Sequence, residues 1–325
     1  MTTARAAVFN STGGPSVIRW RDVALGEPGP QDVLFETAVA GLNFIDTYHR
    51  AGVYRVALPS GLELEASGRV LAAGPASGFA VGARVATFGP TLGATATHRL
   101  LPADSRLRVP DDVDDETAAA ALLKGCTAEV LAERCASVRA GDTVLVHAAA
   151  GGVGLILVQW LTALGARVIG SVGSEAKAAA AREAGAAEVV VTATEDVAAR
   201  VRELTDGRGV PVVFDGVGAD SWEPSLASCA PRGLIVSYGN ASGPVTGVAL
   251  GTLATHGSLF VTRPTLFDYY RDPAERATGV ERLWAIIRSG AVRVTVGQRY
   301  ALEDAAKAHE DLEARRTTGS TVLVV

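Results

Sequence analysis

The run Val144-Leu145-Val146-His147-Ala148-Ala149-Ala150-Gly151-Gly152-Val153-Gly154 constrains the fold of this chain more than any other stretch. Aliphatic and β-branched residues come first, a glycine turn follows, and an apolar helical pattern runs on to Leu164, where Gly165 stops it. A strand that passes through such a turn straight into a helix leaves backbone N–H groups and a helix N-terminus at the strand's end, and both favour a phosphate. A G-x-G-x-x-G spacing would place its first glycine at Ala149, while Gly151 and Gly154 fit the second and third. The six residues alone also describe a tight turn with no ligand, so the context decides.

From Asp142 onward strands and helices alternate. Strand candidates are Thr143–Ala148, Arg167–Val172, Glu188–Thr192, Val210–Val217, Gly233–Tyr238 and Ser258–Val261. Helical patterns separate the first five, notably Val153–Leu164, Glu175–Ala184 and Asp196–Leu204. This pitch predicts βαβ units and an α/β fold with a doubly wound parallel sheet. The first third differs: Arg5–Phe9, Asp32–Val39, Gly68–Ala73 and Arg84–Thr87 are short β-like runs between Gly/Pro turns, which predicts an antiparallel, barrel-like unit. Asp114-Asp115-Glu116 opens an alanine-rich helix, with acids where the helix dipole favours them. After Pro264 come a long helix ending at Gly290, a strand at Val292–Val296, a helix at Glu303–Ala314 and a terminal strand at Ser320–Val325. The order predicts a first domain (1–124 with 265–325) split by a second (125–264).

Composition narrows the function classes. Thirty basic against 35 acidic residues argue against a nucleic-acid binder, which must neutralise phosphates. Cys126, Cys135 and Cys229 are too few and too far apart for a disulfide framework and suit a reducing cytoplasm. No signal-like core opens the chain, and the longest apolar stretch, Val144–Val158, is broken by His147 and glycines and falls short of the ~20 residues of a membrane span. Zinc needs three or four clustered ligands; the cysteines stand alone and no two histidines lie four apart, so no metal is predicted. His147, in the first strand of the alternation, reads as a satisfied core or turn histidine. A Gly-x-Ser-x-Gly elbow is absent.

The end of the second alternating strand bears on the choice of dinucleotide. An NAD site wants Asp or Glu about 20 residues past the turn, on the ribose hydroxyls. Here the strand ends Gly170-Ser171-Val172-Gly173-Ser174, and Lys177 follows on the next helix. Only three lysines occur, Lys124, Lys177 and Lys307, among 30 basic residues. A lysine at this point favours a 2′-phosphate, hence NADPH. Glu175 is near enough to serve a ribose hydroxyl instead, and the lesser reading of Lys177 is a solvated helix-face residue.

Several further segments carry a resemblance. Gly41-Leu42-Asn43-Phe44-Ile45-Asp46-Thr47-Tyr48, Gly52-Val53-Tyr54, Leu58-Pro59-Ser60-Gly61, Leu123-Lys124-Gly125-Cys126-Thr127, His147 through Gly154, Asp215-Gly216-Val217-Gly218, Ser237-Tyr238-Gly239-Asn240 and Val261-Thr262-Arg263-Pro264 occur in this order. Together they resemble the quinone oxidoreductases, zeta-crystallin relatives in the zinc-free branch of the medium-chain dehydrogenase/reductase superfamily, and bacterial NADPH:quinone reductases in particular. The resemblance implies a GroES-like, mainly β catalytic domain with a Rossmann NADPH-binding domain inserted. It implies an interdomain cleft as active site, nicotinamide near Asn43–Tyr48, Thr127 and Gly239–Asn240, and a homodimer through the Rossmann sheet edge. By position it assigns cofactor contacts to Asn43, Tyr48, Thr127, Ala150, Gly151, Gly152, Val153, Gly173, Ser174, Lys177, Thr192, Gly239, Asn240, Val261 and Arg315.

Tyr48 is the candidate for hydrogen-bonding a substrate oxygen, with Asn43 and Tyr54 shaping the site. The two tyrosines could also be core aromatics, and Asn43 a turn cap. Three departures border the expected cleft: Thr192 where relatives often have Tyr, Glu129 and Val130 where they tend to have aromatics, and Glu63 where they usually have Gly. The expected reaction is hydride transfer from nicotinamide to a quinone. Reduction of an activated C=C bond (enone, alkenal or enoyl thioester) is the alternative. An RNA-binding or crystallin-like structural role is more remote.

Overall fold

The computed structural model describes residues 2–89, 91–102 and 105–325. The chain divides into two compact units, one of residues up to Lys124 together with Val294–Val325, the other Gly125–Arg293.

In the second unit six parallel strands stand in the order third, second, first, fourth, fifth, sixth: Glu188–Val191, Arg167–Val172, Thr143–Val146, Val210–Asp215, Cys229–Ser237 and Phe260–Thr262. This is the doubly wound order expected, and its direction reverses between the first and fourth strands, where such sheets bind ligands. Helices Gly152–Ala163, Glu175–Glu183, Val197–Leu204 and Trp222–Ser228 provide the crossovers. The near-continuous burial of Val144–Val146 and Val168–Val172 follows from helices covering a parallel sheet. Leu145, Ile169, Val190, Val213, Leu226 and Ile235 form one buried cluster.

Several boundaries differ from the expected ones. The first strand stops at Val146 because Ala148 turns at φ 52°. The third stops at Val191, one residue short of the expectation. The fourth stops at Asp215, whose carboxylate gathers the N–H groups of Val217 and Gly218 at 2.9 and 3.1 Å into a turn. The fifth begins at Cys229, before the expected Gly233. Ser258, at φ 59°, cannot lie in an extended strand, so the last strand is Phe260–Thr262 rather than Ser258–Val261.

The second domain boundary lies at Arg293, not at 264. Helix Pro273–Arg288 belongs to the Rossmann unit: Leu283 packs so closely on Gly125 that a Cβ there would lie 2.3 Å from it. Gln159 then holds Arg293 twice, donating to its carbonyl at 3.0 Å and accepting its N–H at 2.8 Å. These bonds take the backbone expected as a strand at Val292–Val296, and the strand found is Val296–Ala301.

In the first unit strand Val33–Leu42 is central. It pairs antiparallel with Glu65–Ala73 and Ser320–Val324, and also with His98–Leu101. The sheet continues through Arg84–Phe88 and Arg106–Arg108 on one side and the parallel strand Val296–Ala301 on the other. Arg19–Leu25, Thr2–Phe9 and Ser60–Gly61 form a second small sheet. Strand Arg19–Leu25 has almost no buried face and so lacked the alternation that marks strands in sequence. Val33, Phe35, Leu42, Val70, Val85, Leu302 and Leu323 make the core. Asn43 caps helix Phe44–Ala51, which Gly52 ends at φ 84°.

Candidate active site

The glycine turn leaves a helix N-terminus uncovered. Ala148 takes the left-handed conformation and its carbonyl accepts Gly151 N–H at 2.9 Å, and Gly151 then caps helix Gly152–Ala163 with no side chain over the helix end. A Cβ on Gly154 would lie 2.2 Å from the Ala148 carbonyl oxygen, so turn and helix close only around glycine. Gly170 has the same role from the neighbouring strand, where a Cβ would meet the Ala149 methyl at 2.8 Å. Ala149 is buried against that strand and donates its N–H to Ser171. With Ala at 149, the positive φ of the turn falls on residue 148.

Gly173 and Ser174 follow the adjacent strand. The space over Gly173 is open to 4 Å around an added Cβ. Ser174 caps helix Glu175–Glu183 without spending its hydroxyl on the cap. Lys177 stands half-buried in the first turn, and Thr192 N–H bonds to the Val172 carbonyl at 2.9 Å, bringing Thr192 to the same strand ends. Glu175, the alternative ribose partner, faces Arg182 at 3.3 Å. Open space, a hydroxyl and an ammonium beside the glycine seat fit a phosphorylated dinucleotide.

Gly239 and Asn240 follow the fifth strand, and Asp215 fixes them, its carbonyl accepting Tyr238 and Gly239 N–H at 2.8 and 3.3 Å. A Cβ on Gly239 would lie 2.2 Å from the Gly216 carbonyl. Thr127 lies in the same unit, near the end of helix Asp115–Glu129, Val261 on the edge strand, and Arg315 in the other unit at φ 59°.

In the first unit Asn43 anchors a buried polar network. Its Nδ2 donates to Glu65 Oε1 at 2.8 Å, and its N–H donates to Asp46 Oδ2 at 2.7 Å. Lys124 Nζ donates to the same Glu65 oxygen at 2.9 Å, and Leu123 N–H donates to the other at 2.6 Å. Glu65 has no exposed surface, and Asp46 none. Burial, reinforced by the Glu63 charge, holds the Asp46 carboxyl well above the usual carboxylate range. Asn43 is thus held from two sides, as both a helix cap and a positioned amide. Tyr48, on the same helix, packs edge-on to Tyr54 at 5.3 Å and against Phe44 at 5.6 Å. Tyr48 is 7 % exposed, a residue of the core as well as a candidate contact.

Glu65, Lys124 and Asp46 escaped the sequence reading as a group. Glu65 and Lys124 are 59 residues apart, and although Lys124 lies in the Leu123–Thr127 segment, nothing in the sequence pairs it with Glu65. Among the described residues no group of three or more His, Cys, Asp or Glu is arranged to hold a metal ion. No helix of the described residues is long and apolar enough to cross a membrane.

Comparisons with known proteins agree with this geometry. Residues 29–111 match the alcohol dehydrogenase GroES-like domain, and residues 152–300 match the family described as zinc-binding dehydrogenase. A quinone oxidoreductase of Pseudomonas aeruginosa is 50 % identical over 99 % of each chain. The crystal structure of Escherichia coli quinone oxidoreductase complexed with NADPH superposes with a TM-score of 0.96 at 42 % identity, covering 99 % of this chain and 100 % of that one. A 2-haloacrylate reductase of a Burkholderia species is 41 % identical over 98 % of each chain. A GroES-like domain joined to a Rossmann domain defines the medium-chain dehydrogenase/reductase superfamily. The chain belongs to its quinone oxidoreductase family.

Proposed function

We propose that this protein reduces quinones with NADPH. The observation that carries the cofactor choice is the strand end at Gly173–Ser174, open and without a carboxylate, with Lys177 one turn into the helix and Glu175 facing Arg182. A 2′-phosphate there gains charge-assisted hydrogen bonds that a ribose hydroxyl does not need. The relatives named as quinone oxidoreductases and the NADPH in the E. coli structure support the same reading.

In this reading the backbone of Ala150, Gly151, Gly152 and Val153 takes the pyrophosphate. Gly173, Ser174, Lys177 and Thr192 take the 2′-phosphate, with Arg315 as a further phosphate contact. Thr127, Gly239, Asn240, Val261, Asn43 and Tyr48 serve the nicotinamide half. When bound, the dihydronicotinamide supplies a hydride to the quinone. Tyr48 donates a hydrogen bond to a substrate oxygen, Asn43 holds its amide in place through Glu65 and Asp46, and Tyr54 buttresses the Tyr48 ring. Solvent protonates the hydroquinone oxygens, so the site needs no strong acid or metal.

The 2-haloacrylate reductase relative favours a second reading, reduction of an activated C=C bond on the same cofactor seat. Rates of NADPH and NADH oxidation with 1,4-benzoquinone and with a 2-alkenal separate the two. Faster turnover with NADPH and the quinone is expected, and oxidation driven only by the alkenal would overturn the quinone reading.

The protein is further proposed to act in the cytoplasm, in line with three cysteines that form no disulfide, and as a homodimer without a nucleic-acid partner. Edge strand Phe260–Thr262 supports the dimer: Phe260 is 63 % exposed and neighbouring helix residue Leu250 is 82 % exposed.

A further inference from the structure

His147, Ser171, Ser225 and Asp215 are all buried at the carboxyl ends of the Rossmann strands, and the proposed reaction uses none of them. They form one chain of hydrogen bonds. Asp215 Oδ2 accepts the Ser225 hydroxyl at 2.7 Å, Ser225 Oγ lies 3.1 Å from His147 Nε2, and His147 Nδ1 lies 2.8 Å from Ser171 Oγ. A carboxylate only accepts, so each proton in the chain has one allowed place. Ser225 gives its hydrogen to Asp215 and must accept from His147, which carries its hydrogen on Nε2. Bare Nδ1 then accepts from the Ser171 hydroxyl.

Each end of this chain reaches a loop of the cofactor seat. The Ser171 carbonyl holds Ala149 N–H at 3.0 Å, where the glycine turn begins. Asp215 Oδ1 accepts Val217 N–H, Gly218 N–H and the Ser221 hydroxyl at 2.9, 3.1 and 2.6 Å, and the Asp215 carbonyl holds Tyr238 and Gly239. Apolar side chains would bury more cheaply in a parallel sheet, and a buried polar network that satisfies its members instead specifies one geometry.

We propose that Asp215, through Ser225 and His147, is a positioning network that locks the glycine turn and the Gly239–Asn240 loop together as one seat for the dinucleotide. The proposal rests on the dinucleotide reading above. The network acts through the backbone that binds the ligand, so His147 and Asp215 are positioning rather than catalytic residues. Burial lowers the affinity of His147 for a second proton, against the opposing charge of Asp215, which keeps the imidazole neutral.

Ser225→Ala tests it, with Ser225→Thr as the conservative rescue and Leu226→Ala, on the same helix but in the apolar core, as a control for lost stability. Nitrogen-15 NMR of the protein without added nucleotide should show His147 neutral with its hydrogen on Nε2 at neutral pH, and Ser225→Ala should lose that single tautomer. Fluorescence titration with NADPH should give a Kd raised about tenfold in Ser225→Ala, near wild type in Ser225→Thr and in Leu226→Ala. The KM for 1,4-benzoquinone should stay within about twofold. A wild-type His147 that is cationic or carries its hydrogen on Nδ1 overturns the network. An unchanged NADPH Kd in Ser225→Ala, or an equal loss in Leu226→Ala, overturns the positioning role. Wild-type protein that binds no dinucleotide while keeping the Nε2 tautomer overturns the dinucleotide reading and, with it, the role proposed for an intact network.

Discussion

His309 donates its Nε2 hydrogen to Glu63 Oε1 across 2.7 Å, with neither side chain exposed. Arg50, also fully buried, donates Nε to His309 Nδ1 at 3.3 Å, which fixes the tautomer, and its Nη2 reaches Glu313 at 2.5 Å. Burial pushes the Glu63 carboxyl up to about 8 against the pull of Arg50. Burial, together with Arg50, pushes His309 down to about 3. The contact is therefore a hydrogen bond from a neutral imidazole and not an ion pair.

Stability should follow pH in three regimes because of this pair. Between the ordinary values of 4.5 for Glu and 6.5 for His, the unfolded chain holds a proton on His309 and the folded chain one on Glu63, so the two contributions cancel. Above 6.5 only the folded state keeps a proton, and stability falls as pH rises toward 8, by about 2 kcal/mol. Below 4.5 the unfolded state binds one more proton, and stability falls toward pH 3. Glu63→Gln should abolish the alkaline decline and, with nothing left to cancel the His309 contribution, make the acid decline begin near 6.5 rather than 4.5, as read by Tm across the range.

Glu63 also sits at φ 56°, where glycine is at ease. Glu63→Gly would relieve roughly 1 kcal/mol of backbone strain but leave the His309 N–H buried and unpaired, at a cost of about 1–3 kcal/mol. The variant should unfold at lower denaturant concentration than wild type near pH 6.

Lys177→Ala should raise the KM for NADPH about tenfold, with NADH changed by less than about twofold. Equal losses for both nucleotides in steady-state assays would place Lys177 away from the 2′-phosphate.

Two glycines should separate folding from binding. Gly154→Ala drives a methyl into the Ala148 carbonyl and should fail to fold stably, whereas Gly173→Ala meets open space and should melt like wild type. Gly173→Ala should still weaken NADPH binding by crowding the phosphate, as measured by fluorescence titration alongside calorimetry.

Tyr48→Phe should lower kcat by a modest factor while NADPH binding is unchanged. Complete loss of turnover with intact binding would make its hydroxyl a required acid.

The wound sheet was legible because its strands are apolar on both faces and its helices end at Gly165 and Gly185, both at positive φ. The glycine turn was legible for the same local reason. Networks made of distant residues were not: Asn43, Glu65 and Lys124 meet only after strand Val33–Leu42 pairs with Glu65–Ala73. The domain boundary at Arg293 was hidden because the ties that set it, Leu283 against Gly125 and Gln159 on Arg293, join residues more than 130 positions apart. Sequence periodicity reports which face of an element is buried, and says nothing of such long-range side-chain ties.

Strand Ser320–Val324 lies between Val296–Ala301 and Val33–Leu42 in the middle of the first sheet. During synthesis the ribosome delivers Val33–Leu42 early and its partner only after the whole Rossmann segment has emerged. The inserted unit is contiguous and can fold while the chain is still growing. The sheet next to Asn43 must wait with the Val39–Leu42 stretch of its central strand unpaired on one flank, so the nascent chain passes through a stage in which that edge is open to chaperones or to other chains.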